Sequence, residues 1–297
     1  MVRGEASSSS MPRALSIAGS DSGGGAGIQA DLKTFEALGV YGMTVITAIT
    51  AQNTVGVQAV EGVSPALVRA QLQSVLSDIG VDAIKTGMLL DCGTINVVAD
   101  TIESSEPAAM APLVVDPVMV AKSGDRLLAA DAVAALKTRL APLATVLTPN
   151  IPEAEQLLGR RLKIDSMDSM RRALVELMEE LPETRAVLLK GGHLDSTGNV
   201  CVDLFSDRVH GGLSELTLSR LSSRNSHGTG CTTASAIAAG LAKGYPLLKA
   251  VYLSKRYVHG CIEHALPLGA GCGPLFHAHL QAADGALDAK LKELIGD

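Results

Sequence analysis

Short apolar runs and longer segments with helical spacing alternate along most of the chain. The short runs, which suit β-strands, lie at residues 14–20, 43–50, 81–88, 113–116, 143–148 and 186–190. Between them, helical spacing extends over 26–38, 65–79, 94–102 and 129–140, and Ser64 before Pro65 is suited to cap the second of these helices. Such an alternation of strands and helices is typical of a parallel sheet with helices on both faces.

The last third of the chain departs from this alternation. Two stretches of alternating apolar and polar residues, 200–205 and 213–218, flank His210-Gly211-Gly212, which favours a small hairpin at the sheet edge. Helical segments follow at 229–241, 247–266 and 287–295. We therefore predict an α/β fold of three αβα layers, with a mostly parallel central sheet, helices on both faces and the hairpin at one edge.

No Pro/Ser-rich linker interrupts the 297-residue chain between residues 14 and 280. We expect one domain over 14–297, with 281–297 as an extra C-terminal segment. Residues 1–13, with four serines in a row and no long apolar run, are expected to form a flexible tail or an organellar leader. Five scattered cysteines suit a reducing compartment better than a disulfide scaffold, which predicts a cytoplasmic protein.

Composition and charge exclude several classes of function. The 47% apolar and 19% charged residues are typical of a folded globular protein and argue against disorder. With 25 basic and 31 acidic residues, the net charge of −6 leaves no basic excess for nucleic acid or an anionic membrane. No apolar run approaches the roughly 18 residues needed to span a bilayer. We therefore expect neither a nucleic acid nor a membrane as partner.

The first segment with candidate chemistry is glycine-rich and spans residues 19–27, after the first predicted strand. Ligands bind at the carboxyl ends of strands in open α/β sheets, and glycine lets the backbone approach them closely. Gly25, Gly27 and Ala30 match a dinucleotide-binding fingerprint only formally, because no acidic residue ends the next strand. The sequence also has no P-loop. A ligand-binding loop and a merely tight turn both remain open.

The second segment, residues 225–231, places Gly228, Thr229 and Gly230 at the start of a helix rich in small residues. Free backbone N–H groups and the positive end of the helix dipole form an anion site there, suited to a transferring phosphoryl group. Cys231 lies where a helix N-terminus favours the thiolate, which can act as a base or nucleophile. The alternative is a small buried hydrophobic residue beside a glycine turn.

Acidic residues also follow two of the predicted strands. Asp116 ends the strand 113–116, and Asn150 and Glu153 open a helix after the strand 143–148. Carboxylates at the carboxyl ends of neighbouring parallel strands can hold Mg²⁺, and Lys190 after the strand 186–190 can bind phosphate. The alternative is that these are ordinary turn, first-turn and solvated residues.

Together the motifs resemble the ribokinase-like superfamily, and most closely its hydroxymethylpyrimidine/phosphomethylpyrimidine kinases of thiamin biosynthesis. The resemblance rests on AGSDSGGGAGIQADLK at 18–33, TAITAQNT at 47–54, KTGM at 85–88, VDPVM at 115–119, TPNIPE at 148–153, KGGH at 190–193 and HGTGC at 227–231. These seven segments follow the order of the family and cover nearly everything from residue 14 to about 280. The superfamily usually has aspartate after its Gly-x-Gly, whereas Cys231 matches the pyrimidine kinase branch.

The resemblance implies a kinase that uses ATP and Mg²⁺ to phosphorylate 4-amino-5-hydroxymethyl-2-methylpyrimidine and then its monophosphate. It implies that Cys231 is the base toward the hydroxyl group, while Gly228, Thr229 and Gly230 stabilise the transferred group. It assigns Mg²⁺ to Asp116 and Glu153. It further implies that Asn150, Lys190 and Glu153 lie near the ATP phosphates.

For the pyrimidine, the resemblance implies contacts with Gln52, Asp31, Gly19, Ala26, Met88 and Val118. Gln52 is the expected determinant of specificity, because its amide can both donate and accept hydrogen bonds. A homodimer is expected from the habit of the family.

Two alternatives to this function remain. A pyridoxal or pyridoxine kinase would accept a similar flat heteroaromatic ring with a hydroxymethyl group. A non-catalytic pyrimidine-binding relative would keep the pocket without the reaction, although the presence of Asp116, Glu153 and the 228–231 loop argues against it.

Overall fold

The structure is a computed structural model that describes residues 11–120, 129, 131–159, 163–194, 197–281 and 292–295. Residues 1–10 of the predicted tail and most of the predicted helix 287–295 lie outside the described residues. Within that predicted helix, residues 292–295 are helical.

The described strands form one large sheet and one small one. They are β1 (Arg13–Ala18), β2 (Tyr41–Ile46), β3 (Ala48–Gln52), β4 (Val57–Gly62), β5 (Ala83–Thr86), β6 (Leu113–Val115), β7 (Val146–Leu147), β8 (Ala186–Leu189), β9 (Val200–Asp207) and β10 (Leu213–Ser219). Eight strands follow the order β10-β9-β8-β7-β6-β5-β1-β2. Strand β9 runs antiparallel to β8 and β10, and all other neighbouring strands are parallel. Strands β3 and β4 pair separately and antiparallel.

Helices cover both faces of the large sheet. They are α1 (Gly27–Ala37), α2 (Pro65–Asp78), α3 (Cys92–Ser104), α4 (Glu106–Met110), α5 (Ala132–Ala135), α6 (Ile151–Leu157), α7 (Met167–Glu180), α8 (Thr229–Ala242) and α9 (Leu247–Glu263). A π-helical turn (Leu136–Leu140) and a 3₁₀ turn (Ala141–Leu143) continue α5. Helices α1, α8 and α9 pack on one face, and α2 to α7 pack on the other.

Alternating side chains of the central strands supply both cores. In β6, Leu113 and Val115 join the core beneath α2 to α7, whereas Val114 joins the core beneath α1, α8 and α9. Successive residues of a strand point to opposite faces, so a strand buried on both sides must be apolar throughout. The predicted three-layer fold and the edge hairpin, formed by β9 and β10, are confirmed.

The predicted strand 43–50 is wrong as a single element. Strand β2 ends at Ile46, and Thr47 turns the chain away by donating its hydroxyl to Met88 O at 2.6 Å and its N–H to Ala18 O at 3.1 Å. The residues that follow form β3, which pairs with β4. Strand β4 escaped prediction because its residues are almost all exposed and show no buried face. The predicted strand 143–148 is also shortened to β7, because the 3₁₀ turn occupies its start.

Two further findings bear on the predicted class of protein. None of the helices in the described parts of the chain combines the length and the apolarity that crossing a bilayer requires. All five cysteines are free thiols.

Candidate active site

A cavity of about 1140 Å³ opens at the carboxyl ends of β1 and of β5 to β8. Loops after parallel strands meet at this edge of the sheet, so the separate motifs can converge there. Of the predicted site residues, those that line the cavity are Gly19, Ala26, Gln52, Met88, Asp116, Val118, Asn150, Glu153, Lys190, Gly228, Thr229, Gly230 and Cys231. Asp31 does not line it.

The glycine-rich loop after β1 folds around the carboxylate of Asp21. This carboxylate accepts hydrogen bonds from the backbone N–H groups of Gly23, Gly25 and Ala26 at 2.8 to 3.0 Å. Although burial acts in the opposite direction, the contact with His227 and the hydrogen bonds from Ala26 and Gly23 hold the pKa of Asp21 below its usual value. The loop is therefore organised by an ionised side chain and is more than a tight turn.

The same carboxylate fixes this loop against the start of α8. His227 Nε2 lies 2.9 Å from Asp21 Oδ2, and its ring packs on Gly25, where a Cβ would lie 2.5 Å from His227 Cδ2. Gly228 has a φ of +87°, and a Cβ on it would run into the carbonyl oxygen of Gly25. The two glycine-rich motifs thus interlock, although about two hundred residues separate them.

The start of α8 offers unpaired donors to the cavity. Gly228 occupies the position before the first turn and supplies no side-chain cap. Within the described residues, the N–H groups of Gly230 and Cys231 have no acceptor, whereas Thr232 N donates to Gly228 O at 2.9 Å. Free N–H groups at the positive end of a 14-residue helix form an anion site.

A carboxylate–ammonium pair lies directly beside these donors. Lys190 Nζ donates to Asp116 Oδ1 at 2.9 Å, and Thr148 Oγ1 donates to the same oxygen at 3.2 Å. A Cβ on Gly230 would lie 3.4 Å from Lys190 Nζ and 3.5 Å from Asp116 Oδ2. Because Gly230 lacks a side chain, the anion site and the charged pair share one small volume.

Glu153 is both a capping residue and a cavity residue. Its carboxylate accepts from Asn150 N at 2.7 Å, and Asn150 Oδ1 accepts from Glu153 N at 2.9 Å, which forms a capping box at the start of α6. Burial raises the pKa of Glu153 to about 7, with Lys190 opposing this shift and the charge of Asp116 adding to it. Asn150 also lies beside Lys190, where the chain extends β7 and β8 by one bridge.

The structure corrects the expectation that Cys231 is poised as a thiolate. Burial raises the pKa of this thiol to about 11, against the lowering effects of the Lys85 charge and of a hydrogen bond from the Gly27 backbone. At neutral pH, Cys231 therefore carries its proton in the ligand-free protein. The helix N-terminus does not outweigh the loss of solvation.

The end of the cavity beside the glycine-rich loop suits a flat ring. Gln52 is held there through its backbone, which exchanges hydrogen bonds of 2.7 and 2.8 Å with the hydroxyl of Ser22. The Met88 thioether packs over Gly19, where a Cβ would collide with it. Ala26 and Val118 complete this apolar end.

Asp31 lies beneath the cavity instead of lining it. It is fully buried and accepts hydrogen bonds from Ser16, Lys85 and Ser235 at 2.5 to 2.8 Å. The expected contact between Asp31 and a substrate ring is therefore corrected, because three neighbours occupy its oxygens. Lys85 is equally buried, and it forms an ion pair with Asp31 under the floor of the site.

Sequence reasoning missed several residues at the site. Asp21 and His227 lie in the glycine-rich segments after β1 and before α8, but their pairing joins residues 206 positions apart and left no signal in the sequence. None of the residues at the far end of the cavity was predicted from the sequence, because they come from strands and helices without motifs. This end is lined by Cys201, Asp203, Leu218, Ser219, Lys255, Val258, His259 and Ile262. Lys255 and Asp203 form an ion pair there at 2.8 Å.

Comparison with known families and relatives agrees on one kind of protein. A family profile described as phosphomethylpyrimidine kinase matches residues 21–276. The hydroxymethylpyrimidine/phosphomethylpyrimidine kinase of Rhizobium meliloti (strain 1021) is 54% identical over 270 residues, which cover 90% of this chain and 97% of the relative.

Two solved structures extend this comparison to the fold. The ADP complex of Bacillus subtilis pyridoxal kinase has a TM-score of 0.83 at 38% identity and covers 92% of this chain and 100% of its own. The phosphomethylpyrimidine kinase of Clostridium difficile 630 has a TM-score of 0.70 at 44% identity and covers 83% and 97%. The likeness thus spans the sheet, both helical layers and the cavity.

The interlock of the two glycine motifs predicts a large effect of Gly228→Ala. Gly244→Ala is the matched control, because Gly244 also has a positive φ of +78° but no atom within 4 Å of its Cβ position. The control should lose about 1–2 kcal/mol of unfolding free energy, the usual cost of a left-handed non-glycine residue. Gly228→Ala should lose at least about 1 kcal/mol more, because the Gly25 carbonyl must also move. Urea unfolding measures both, and equal losses would contradict the interlock.

Proposed function

Because the chain belongs to the phosphomethylpyrimidine kinase family, we propose that its cavity binds ATP and a hydroxymethylpyrimidine side by side for phosphoryl transfer. The protein is a phosphotransferase that phosphorylates 4-amino-5-hydroxymethyl-2-methylpyrimidine and then its monophosphate in thiamin biosynthesis. The observation that carries the assignment to this site is the convergence at Gly230 of free helix N–H groups, the Lys190 ammonium and the Asp116 carboxylate.

In this proposal the start of α8 and Lys190 hold the transferring phosphoryl group. Phosphoryl transfer passes through a loose transition state, so its catalysis is mainly positioning and stabilisation of charge. The transferring phosphoryl group is surrounded by the free N–H groups of Gly230 and Cys231 and by the loop formed by Gly228 and Thr229. Lys190 adds a positive charge beside it. In the first step the hydroxymethyl oxygen attacks the γ-phosphorus of ATP and ADP leaves. In the second step an oxygen of the monophosphate attacks in the same way.

Asp116 and Glu153 fit the requirements of a Mg²⁺ site. Asp116 Oδ2 makes no hydrogen bond to any described residue and faces the position of Gly230. The raised pKa of Glu153 shows that this second carboxylate is disfavoured in its ionised form, which a divalent cation would relieve. Carboxylate oxygens are the donors that Mg²⁺ prefers. Bound Mg²⁺ supplies neutralisation of the phosphate charges, and Asn150 fixes the orientation of Glu153 through the capping box.

Cys231 is proposed as the base for the first step. It accepts the hydroxyl proton as the new oxygen–phosphorus bond forms, provided that it has lost its own proton beforehand. The second acceptor is already an anion and needs no base. The roles of Cys231 in the two steps are therefore expected to differ.

The far end of the cavity is proposed to hold the adenosine of ATP. It presents the apolar side chains of Leu218, Val258 and Ile262 together with the polar Ser219 and His259. The volume of about 1140 Å³ is more than a single pyrimidine requires and leaves room for a nucleotide. ATP use agrees with the ADP found in the similar pyridoxal kinase.

The end of the cavity beside Gln52 favours a hydroxymethylpyrimidine kinase over a vitamin B6 kinase. The Gln52 backbone is fixed by Ser22, so its carboxamide can reach the paired amino group and ring nitrogen of an aminopyrimidine. A pyridoxal ring instead presents a phenolic hydroxyl and a formyl group beside its hydroxymethyl group, so its donor and acceptor are placed differently. The higher identity to pyrimidine kinases than to the pyridoxal kinase supports the same choice.

The first test follows ATP consumption by the purified protein with each acceptor in turn. We expect ADP release with the hydroxymethylpyrimidine, ADP release again with its monophosphate, and loss of both when EDTA removes Mg²⁺. The kcat/KM should exceed that for pyridoxal by about tenfold or more, because an unmatched hydrogen-bonding edge costs more than about 1 kcal/mol. A clear preference for pyridoxal would replace the proposed substrate while leaving the kinase family unchanged.

The second test concerns Cys231. Cys231→Ala should lower kcat for the hydroxymethyl acceptor by about a hundredfold and leave the monophosphate reaction far less affected. Since the pKa is raised to about 11, the thiolate fraction grows with pH, so the first reaction should accelerate about tenfold per pH unit below that value. The variant should lose this slope. Cys92→Ala, at the start of α3 and outside the cavity, is the control. A retained slope would remove Cys231 from the role of base.

A homodimer is proposed through the small sheet of β3 and β4. Ile49 is 51% exposed, and the strand register places it on one face of this sheet with Ala51 and Ala59, which are also exposed. Clustered exposed apolar side chains mark interaction surfaces, and β3 carries Gln52 at its end. Dimerisation there would therefore also steady the pyrimidine end of the cavity.

The proposed dimer predicts different effects of two charged substitutions. Ile49→Glu should shift the protein from dimer to monomer, because it places a charge in the apolar contact. Val175→Glu on α7, where Val175 is 53% exposed, should leave the dimer intact. Sedimentation equilibrium measures both. A monomeric wild-type protein, or equal dissociation by both variants, would contradict the proposed interface.

A further inference from the structure

Lys85 and Asp31 form an ion pair that the proposed reaction leaves without a role. Both side chains have 0% exposure, and Lys85 Nζ lies 2.8 Å from Asp31 Oδ2. Neither residue lines the cavity. Burying two charges costs several kcal/mol of solvation, and apolar residues of similar size are often as stable. The pair is therefore poorly explained by stability alone.

The contacts of the pair lead to the helix that carries Cys231. Asp31 Oδ1 accepts a hydrogen bond of 2.6 Å from Ser235, which lies on α8 four residues after Cys231. Residues four apart lie on the same helix face, one turn from each other. Asp31 thus links the Lys85 ammonium to the face of α8 on which Cys231 lies in the first turn.

The ammonium also lies close behind the cavity wall. A Cβ on Gly87 would be 2.7 Å from Lys85 Nζ and 3.0 Å from the Cβ of Ala18, which lines the cavity. Within the described residues, the ammonium makes its one hydrogen bond to Asp31. A positive charge paired with a single carboxylate therefore lies under the floor of the site.

Four charged groups from four elements interact with the thiol through their charges. Lys85 lies on β5 and Asp31 lies on α1. Lys190 comes directly after β8, and Asp116 comes directly after β6. Lys85 lowers the pKa of Cys231 and is the largest effect opposing burial, whereas Asp31 and Asp116 raise it. Burial alone would lower the pKa of Lys85 itself, but Asp31, Cys231 and Asp116 outweigh this and raise it, so Lys85 stays charged. Charge interactions of this kind are strong where water is excluded.

We propose that Lys85, held by Asp31, is a positioning residue whose buried positive charge stabilises the Cys231 thiolate for phosphorylation of the hydroxymethyl group. This inference rests on the proposed role of Cys231. The hydroxyl proton passes to the sulfur while the oxygen–phosphorus bond forms and the bond to ADP breaks. Lys85 keeps its protons throughout and touches neither substrate.

Loss of the Lys85 charge should affect the two reactions of the enzyme differently. The monophosphate needs no proton acceptor, so loss of the Lys85 charge should spare its phosphorylation. A purely structural contribution of the pair would instead impair both reactions together. The ratio of kcat for the hydroxymethyl acceptor to kcat for the monophosphate should therefore change only if the Lys85 charge acts on the first reaction. A purely structural role would leave this ratio unchanged.

Two variants keep the test independent of folding defects. Lys85→Met removes the ammonium but leaves the Asp31 carboxylate buried without its partner. The double variant Lys85→Met/Asp31→Asn removes both charges together, which is far better tolerated. Lys255→Met is the matched control for the thiol titration, because it removes an ammonium from the far end of the same cavity.

The thiol pKa is measured without substrate from thiolate absorbance, as the difference between each variant and the same variant carrying Cys231→Ser. Lys85→Met should raise the midpoint by about one pH unit, and Lys255→Met should leave it in place. The double variant should raise the midpoint by less, because Asp31, which it also neutralises, itself raises the pKa of Cys231. The kcat for the hydroxymethyl acceptor should fall about tenfold with little change in KM, while the monophosphate reaction changes far less.

An unchanged midpoint in both Lys85 variants, or equal losses in the two reactions, would overturn the proposal. Failure of the proposed function looks different. In that case the wild-type protein would show no turnover of the pyrimidine, or Cys231→Ala would keep the full rate and pH slope, while the titration still measures the effect of Lys85 on the thiol.

Discussion

The close contact between two glycine-rich backbones is the constraint on which the rest of the site depends. The loop after β1 can approach the start of α8 only because Gly25 and Gly228 have no side chains, and Asp21 bonds both to the loop N–H groups and to His227. This contact fixes where the free N–H groups of α8 point. It also brings the ring-binding end of the cavity, which the loop forms, next to the proposed phosphoryl site.

Around this contact the protein concentrates charge in a poorly solvated volume. Asp116, Glu153 and Asp31 are matched by Lys190 and Lys85, and the pKa shifts of Glu153 and Cys231 record how strongly burial acts there. Because water is largely excluded from this site, each charge interacts more strongly with a phosphate than it would at the surface. The same exclusion keeps Cys231 protonated, so a base in this position depends on the charges that surround it.

The patterns that were predictable are those set by local chemistry. Strand and helix alternation follows from which faces must be apolar, and it gave the three layers and the β9–β10 hairpin. The break at Thr47 was not visible, because hydrogen bonds to Met88 and Ala18, distant in sequence, produce it. Strand β4 lacks a buried face and so carries no period-two pattern.

For the site, the sequence by itself determined which residue types follow the strands and start α8, since the motifs at Gly19, Asp116, Lys190 and Gly228 are local. Only the tertiary structure decided their environment. It buried Asp31 beneath the floor with Lys85, paired Asp21 with His227, and raised the pKa of Cys231 instead of lowering it. The physical reason is that solvation and long-range charge depend on neighbours from every layer of the fold, whereas a motif contains only its own few residues.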